Sequence, residues 1–229
     1  MHGRQRSRPP SARTKLVEER LATAFGVSRT RIRPVLVRLA NEKIVTLTSY
    51  RGATVAQPTE REAREVFEVR RLIEPTLLAC FIERAGGADI ASLGHCIDDE
   101  EVARRAGEMR RAIRHAGDFH LQIASAAAHQ TLGRIPRELV SRTALVLMAC
   151  DSTHRTPPAD TSSFGCLAHR SLLQAIRLRD PRKGARLMRE HLAQLESQLQ
   201  FTPPGTESPD LIALYARAAP VAATMVRQA

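Results

Sequence analysis

Three histidines in the second half of the chain, His120, His169 and His191, are the residues best placed to do chemistry. At helical spacing, His120 shares a face with Ile113, Ala116, Ile123, Ala124 and Ala127. His169 aligns with Leu172, Leu173 and Ile176, and His191 with Leu187, Met188 and Leu195. Three imidazoles carried inward on three helices could bind a divalent transition metal such as Zn²⁺, Ni²⁺ or Mn²⁺, with positions left for water or a ligand carboxylate. Two other readings stay open. The imidazoles could hydrogen-bond an anionic or polar ligand in a metal-free pocket, or they could be ordinary hydrogen-bonded core residues. An open metal site could also activate water. However, no Glu or Asp adjoins these histidines in an HExxH-like motif, so a general base is missing.

A second set lies near the N-terminus. The run FGVSRTRIRPVLVRLANEKI reads as a tight turn at Gly26 followed by a helix. Ser28 is a good N-cap, because its hydroxyl can accept from an unpaired amide of the first turn. Ile32, Val35, Leu36 and Leu39 would face a core. Arg29 and Arg33 are four apart and share a face. Arginines near a helix N-terminus can reach base edges and phosphates in a DNA major groove. Arg31 reads as a phosphate contact. Arg38 reads equally as a DNA contact or as part of a solvated helix face.

The charge agrees with a polyanion partner. The chain has 229 residues and a formal net charge of +11, and residues 1–60 hold 12 basic residues against 4 acidic. The excess therefore sits where the turn and helix lie, which makes nucleic acid the leading partner. Aromatic residues are only 3 % of the chain, which disfavours base-stacking recognition of single strands. No apolar run approaches the roughly 20 residues that span a bilayer, and the first residues lack the apolar core of a secretory signal. Cys80, Cys96, Cys150 and Cys166 form no CxxC pair, which suits free thiols in a cytoplasmic protein.

The elements that must position these residues follow from periodicity. Residues 1–13 are expected to be a disordered basic N-terminus. A helix over 16–25, the turn at Gly26–Val27, a helix over 29–41 and a hairpin with its tip at Tyr50–Gly52 make a winged helix-turn-helix over 14–57. Thr59, with Glu62 three residues on, caps a long helix to about 85, ended by Gly86–Gly87. Further helices fit about 89–105, 108–129, 132–150, 165–179 and 181–200, with a proline-containing loop over 152–164. Strand signals stop after residue 56, so 58–201 is expected to be an all-α bundle. Residues 202–229 form a C-terminal extension with a short helix near 209–219.

The segment LVEERLATAFGVSRTRIRPVLVRLA resembles the DNA-binding half of GntR-type bacterial transcription regulators. EVFEVRRLIEP, GDFHLQIASAA, HRSLLQAI and ARLMREHL resemble the helical FCD effector domain of the FadR-type branch. The resemblance spans roughly residues 14–200. It implies a homodimeric regulator, here read as a repressor, bound to a palindromic double-stranded operator and controlled by a small metabolite such as an organic acid. It also implies operator contacts by Arg29 and Arg33, a recognition helix opened by Ser28–Thr30, and a wing tip at Arg51–Gly52. Two alternatives are a metal-dependent enzyme using the three histidines and a non-specific DNA-binding protein.

Many FCD domains bind a metal through Asp-x-x-x-His plus two later histidines. His120, His169 and His191 match those histidines, but Ala116 stands where the aspartate would be. Asp118 and His115 point elsewhere. Cys166, three residues before His169, is a candidate fourth ligand; it reads otherwise as a small buried hydrophobe. Arg70 matches an arginine that often faces the pocket, or it pairs with Glu74 four residues on. Ala128–His129 replace the family's Gly-Asn, which suggests a longer helix. The family also has a helix before the position of Leu16. The Arg- and Pro-containing residues here imply either that this helix is absent or that the start of the chain is not native. Pro34 falls where the family often has glutamate, and it predicts a kink or a shortened helix, because it removes an internal donor at about 3 kcal/mol.

Overall fold

The computed structural model describes residues 15–48, 52–151, 164–199 and 201. The expectations for the basic N-terminus, the helix before Leu16, Arg51 at the wing tip, the 152–163 loop and the C-terminal extension lie outside these residues. The chain divides into two compact units with a boundary between Gln57 and Pro58.

The first unit contains β1 (Lys15–Leu16), α1 (Glu18–Phe25), α2 (Arg29–Asn41), β2 (Val45–Thr48) and β3 (Gly52–Val55). β3 is central and pairs antiparallel with both β1 and β2. Helix, turn, helix and hairpin thus form a winged helix-turn-helix. The sharp turn after α1 works because Gly26 adopts φ 63°, and Val27 N–H then reaches back to Ala22 O. A small core of Ala22, Ile32, Leu36, Val45 and Ala53 ties the helices to the sheet.

Four local expectations change. Residues 15–16 are a short strand, and the helix begins only at Glu18. Ser28 occupies the N-cap position, but its hydroxyl bonds Thr30 Oγ1 at 2.8 Å instead of a backbone amide. α2 runs unbroken from Arg29 to Asn41 with Pro34 inside it, so losing one donor does not shorten it. Val35 is 53 % exposed, because it falls at the edge of the Ile32–Leu36 stripe, beyond the reach of this small core.

The second unit is helical: α3 (Glu60–Arg84), α4 (Gly87–Arg105), α5 (Met109–Ala126), a 3₁₀ turn (Leu132–Arg134), α6 (Ile135–Asp151), α7 (Phe164–Arg177) and α8 (Pro181–Ser197). α3 starts with a complete capping box: Glu62 N–H donates to Thr59 Oγ1, and Thr59 N–H donates to Glu62 Oε2. Its last carbonyls are met by Arg179, which donates to Ile82 O and Ala85 O. Gly86–Gly87 open α4 rather than close α3, and the Asp89 carboxylate accepts from Gly86 N–H at 2.8 Å. α8 begins with Asp180 capping Lys183 N–H and Pro181 in the first turn. Phe67, Phe81, Phe119, Leu93 and Leu172 are fully buried, each contributing roughly 1.5–3 kcal/mol through burial. α5 ends at Ala126, short of the expected 129. Ala128 takes φ 51° and turns the chain out of the helix, and His129 Nδ1 accepts from Leu132 N–H.

Candidate functional site

α5, α7 and α8 each turn one histidine inward, and the three imidazoles meet. Ring centroids are 5.3 Å apart for His120 and His169, 5.4 Å for His120 and His191, and 4.7 Å for His169 and His191. One nitrogen of each lies within 4.8 Å of the others. All three side chains are buried. Phe119 stacks on His169 with centroids 4.4 Å apart, which fixes that ring by packing.

Two glutamates stand behind the rings. His169 Nδ1 is 2.7 Å from Glu100 Oε2, and Arg104 donates from Nε to Glu100 Oε1 at 2.9 Å. His120 Nδ1 is 2.7 Å from Glu74 Oε2, although its N–H is poorly aligned with that oxygen, so the contact is electrostatic more than a formed hydrogen bond. Arg70 grips Glu74 through Nε at 2.5 Å and Nη2 at 3.3 Å, and its Nη1 donates to Thr143 Oγ1 at 3.1 Å. The Thr143 hydroxyl in turn donates a hydrogen bond to Leu139 O at 2.8 Å. The ion pair that Arg70 was expected to make and its place on the pocket wall are therefore compatible.

The electrostatics follow from burial. Burial pushes Glu74 upward, but Arg70 and His120 outweigh it and hold the carboxyl at about 2. Burial likewise pushes Glu100 upward, but His169 and then Arg104 hold it at about 2. Burial lowers His120 to about 4 against the pull of Glu74. Burial, reinforced by His169 and His120, drives His191 well below its ordinary value. With a carboxylate at Nδ1, the neutral tautomer of His169 that fits carries its proton on that nitrogen and its lone pair on Nε2. His169 Nε2 and His191 Nε2 are both buried with no protein partner. Such orphaned buried polar atoms are rare, and two of them in one cluster of three imidazoles suit a cation. Ligand nitrogens at about 2.0–2.1 Å from a metal lie closer together than these, so small ring rotations would complete a site. The three histidines could thus hold a metal.

A cavity of about 50 Å³ adjoins the rings, bounded also by Arg70, Arg104 and Ala116. That space suits a few waters or a small ligand. Ala116 confirms that no carboxylate stands one turn before His120. Asp118 and His115 line a different groove, between α4 and α5. Cys166 does not join the histidine group. Its thiol is pushed up to about 11 by burial and by Glu100, so it stays protonated. Sequence reasoning missed Glu100; its signal was a carboxylate on the apolar stripe of Leu93, Cys96 and Ile97, with Arg104 four residues on.

In the winged unit Arg29, Thr30, Arg31, Arg33 and Arg38 are all exposed on α2. At about 100° per residue, Arg29 and Arg33 fall on one side and Arg31 and Arg38 on the other. Arg38 pairs with Glu42 at 3.2 Å. Gly52 opens β3 with φ 84°.

Residues 65–194 match the FCD domain, and residues 7–55 match the bacterial regulatory proteins of the gntR family. The chain belongs to the GntR family of transcription regulators, in the group that carries an FCD effector domain. It is similar to the HTH-type transcriptional repressor GlaR of Escherichia coli K12, at 25 % identity over 79 % of this chain and 81 % of that one. The gluconate operon transcriptional repressor of Bacillus licheniformis is 41 % identical over 35 % of this chain and 31 % of its own length. The structure of E. coli McbR/YncC has the same fold, with a TM-score of 0.73 at 23 % identity over 83 % of this chain and 87 % of that one. The winged unit is the DNA-binding part of a transcription regulator, and the helical unit is its ligand-binding part. The enzyme and non-specific binder readings are not favoured.

Proposed function

We propose that this chain is a cytoplasmic, homodimeric repressor whose grip on a palindromic operator is set by a small organic acid bound at a divalent metal in the helical unit. The observation that supports it best is the group of unpartnered imidazole nitrogens in the effector-binding unit. His120, His169 and His191 would hold Zn²⁺, Ni²⁺ or Mn²⁺. Glu74 and Glu100 would fix ring orientation, as carboxylates behind metal-bound histidines do. Both glutamates are already matched by arginines, so the surroundings carry no spare negative charge for a bound cation. A carboxylate of the effector would supply it, with Arg70 and Arg104 at the cavity wall. The metal, when bound, contributes a Lewis-acidic centre for that carboxylate. On the DNA side, Arg29, Arg33 and Arg31 would contact the operator along with Ser28 and Thr30. Gly52 and Arg51 would serve the wing, and Arg38 the backbone.

The test is elemental analysis of purified protein, followed by thermal-shift screening of small carboxylates with and without divalent metal. Stoichiometric metal, lost in the His169→Ala/His191→Ala double variant, is expected. Carboxylates should raise the melting temperature only in metal-loaded protein, by mass action. An equal rise in chelator-treated protein would instead establish the metal-free pocket. Retention of metal by the double variant would exclude the three-histidine site.

A further inference from the structure

Arg33 is not a free side chain reaching into solvent. Its Nε and Nη2 donate to Glu18 Oε1 and Oε2, both at 3.1 Å, in a two-pronged clamp. Nη2 of Arg29 is 4.0 Å from the same carboxylate. Glu18 opens α1, fifteen positions earlier in the chain, and the turn at Gly26 brings it against α2. The carboxylate is 27 % exposed, while Arg33 is 71 % exposed, so the acid is the recessed partner and the guanidinium projects past it. The hydrogen bond from Arg33 holds the Glu18 carboxyl below its ordinary value.

The geometry of the clamp decides what Arg33 can still do. A guanidinium has five N–H donors in one plane. The clamp uses Nε–H and one Nη2–H, leaving both Nη1 hydrogens and the second on Nη2. One Nη1 hydrogen and the remaining Nη2 hydrogen lie side by side on the end edge of the plane, turned away from Glu18, while the other Nη1 hydrogen points back toward Cδ. Guanine offers O6 and N7 side by side in the major groove, and a paired arginine edge is the commonest group to read them. A long arginine side chain is otherwise conformationally free and binds phosphate as readily as base. Glu18 removes that freedom before DNA arrives. It also places a negative charge next to Arg33, which weakens attraction to any phosphate backbone.

Resting on the reading of α2 as the DNA-contacting helix, we propose that Glu18 is a positioning residue that aims the end edge of Arg33 at a guanine and lowers affinity for unrelated DNA. Glu18 thereby converts an arginine of general affinity into one of sequence preference.

The experiment is selection of binding sites from a random duplex library by the full chain, with affinities for the selected site and for a scrambled duplex of equal length measured by fluorescence anisotropy. Wild type should select a guanine at one position of each half-site, and Arg33→Ala should erase that preference. Glu18→Gln should reduce the guanine preference at that same position about tenfold, while binding the scrambled duplex as tightly as wild type or tighter. Glu18→Asp keeps the charge and is too short to form the same clamp. It should lose the guanine preference with scrambled-duplex affinity unchanged, and its melting curve guards against misfolding. Equal shifts in both affinities for the two Glu18 variants, or an undiminished guanine preference in them, would overturn the positioning role. An unchanged preference in Arg33→Ala would instead overturn the reading of α2 itself.

Discussion

The two units use the same i,i+4 arginine–glutamate pair in opposite ways. On α2, Arg38 meets Glu42 at 3.2 Å with the arginine 71 % exposed. On α3, Arg70 meets Glu74 at 2.5 Å with side chains 2 % and 5 % exposed. Exposed pairs of this kind contribute little, because water and salt already satisfy both charges. A buried pair is costly to form and far more costly to break, because the surviving charge has nowhere to go. The winged unit keeps its charges at the surface, where a polyanion can reach them. In the helical unit Arg70, Glu74 and Glu100 are sealed beside a small cavity, and the two carboxylates stand behind His120 and His169.

The largest effect should come from breaking the sealed pair. Glu74→Ala is expected to destabilise the helical unit by about 3–5 kcal/mol, read by urea unfolding with chelator present. A loss below about 1 kcal/mol would mean that the pair is solvated in solution. Next comes pH. His120 has an ordinary value of 6.5 and sits at about 4 in the folded chain, and His191 is shifted the same way. Between those values the unfolded chain takes up protons that the folded one refuses. Metal-free stability should therefore be full above about pH 6.5 and fall as pH drops toward 4, by on the order of 2–3 kcal/mol for His120 alone. A flat unfolding free energy between pH 7 and 4.5 would contradict the neutral, buried imidazoles.

Ala128 carries a left-handed φ of 51° that disfavours a side chain. Ala128→Gly should stabilise the chain by about 0.5–1 kcal/mol, and a loss of stability in thermal melts would argue against that turn. The smallest effect should be Glu42→Ala, within about 0.5 kcal/mol at moderate salt. A larger loss would erase the contrast with Glu74.

Much of this contrast was legible in one dimension. α2 spans Arg29–Asn41, as its apolar spacing after the Gly26 turn suggests. The Thr59–Glu62 capping box is a four-residue signal, and it forms as written. The three histidines fall on inward faces because helical periodicity dictates direction. What was not legible depends on partners distant in the chain. Glu100 finds His169 across 69 positions, and Glu18 finds Arg33 across 15. The exposure of Val35 depends on how much core surrounds it, and the end of α5 at Ala126 depends on a turn beyond it.

Sequence by itself determined the kinds and faces of the helices, the basic character of the first unit and the three candidate imidazoles. These depend on interactions within a few residues or on charges that simply add. Tertiary structure alone decided that the imidazoles converge, that each of two has a glutamate behind it, and that Glu18 clamps Arg33. Those outcomes require separate helices to pack at particular rotations and depths, and burial then decides whether a charge is a surface ornament or a fixed part of the site.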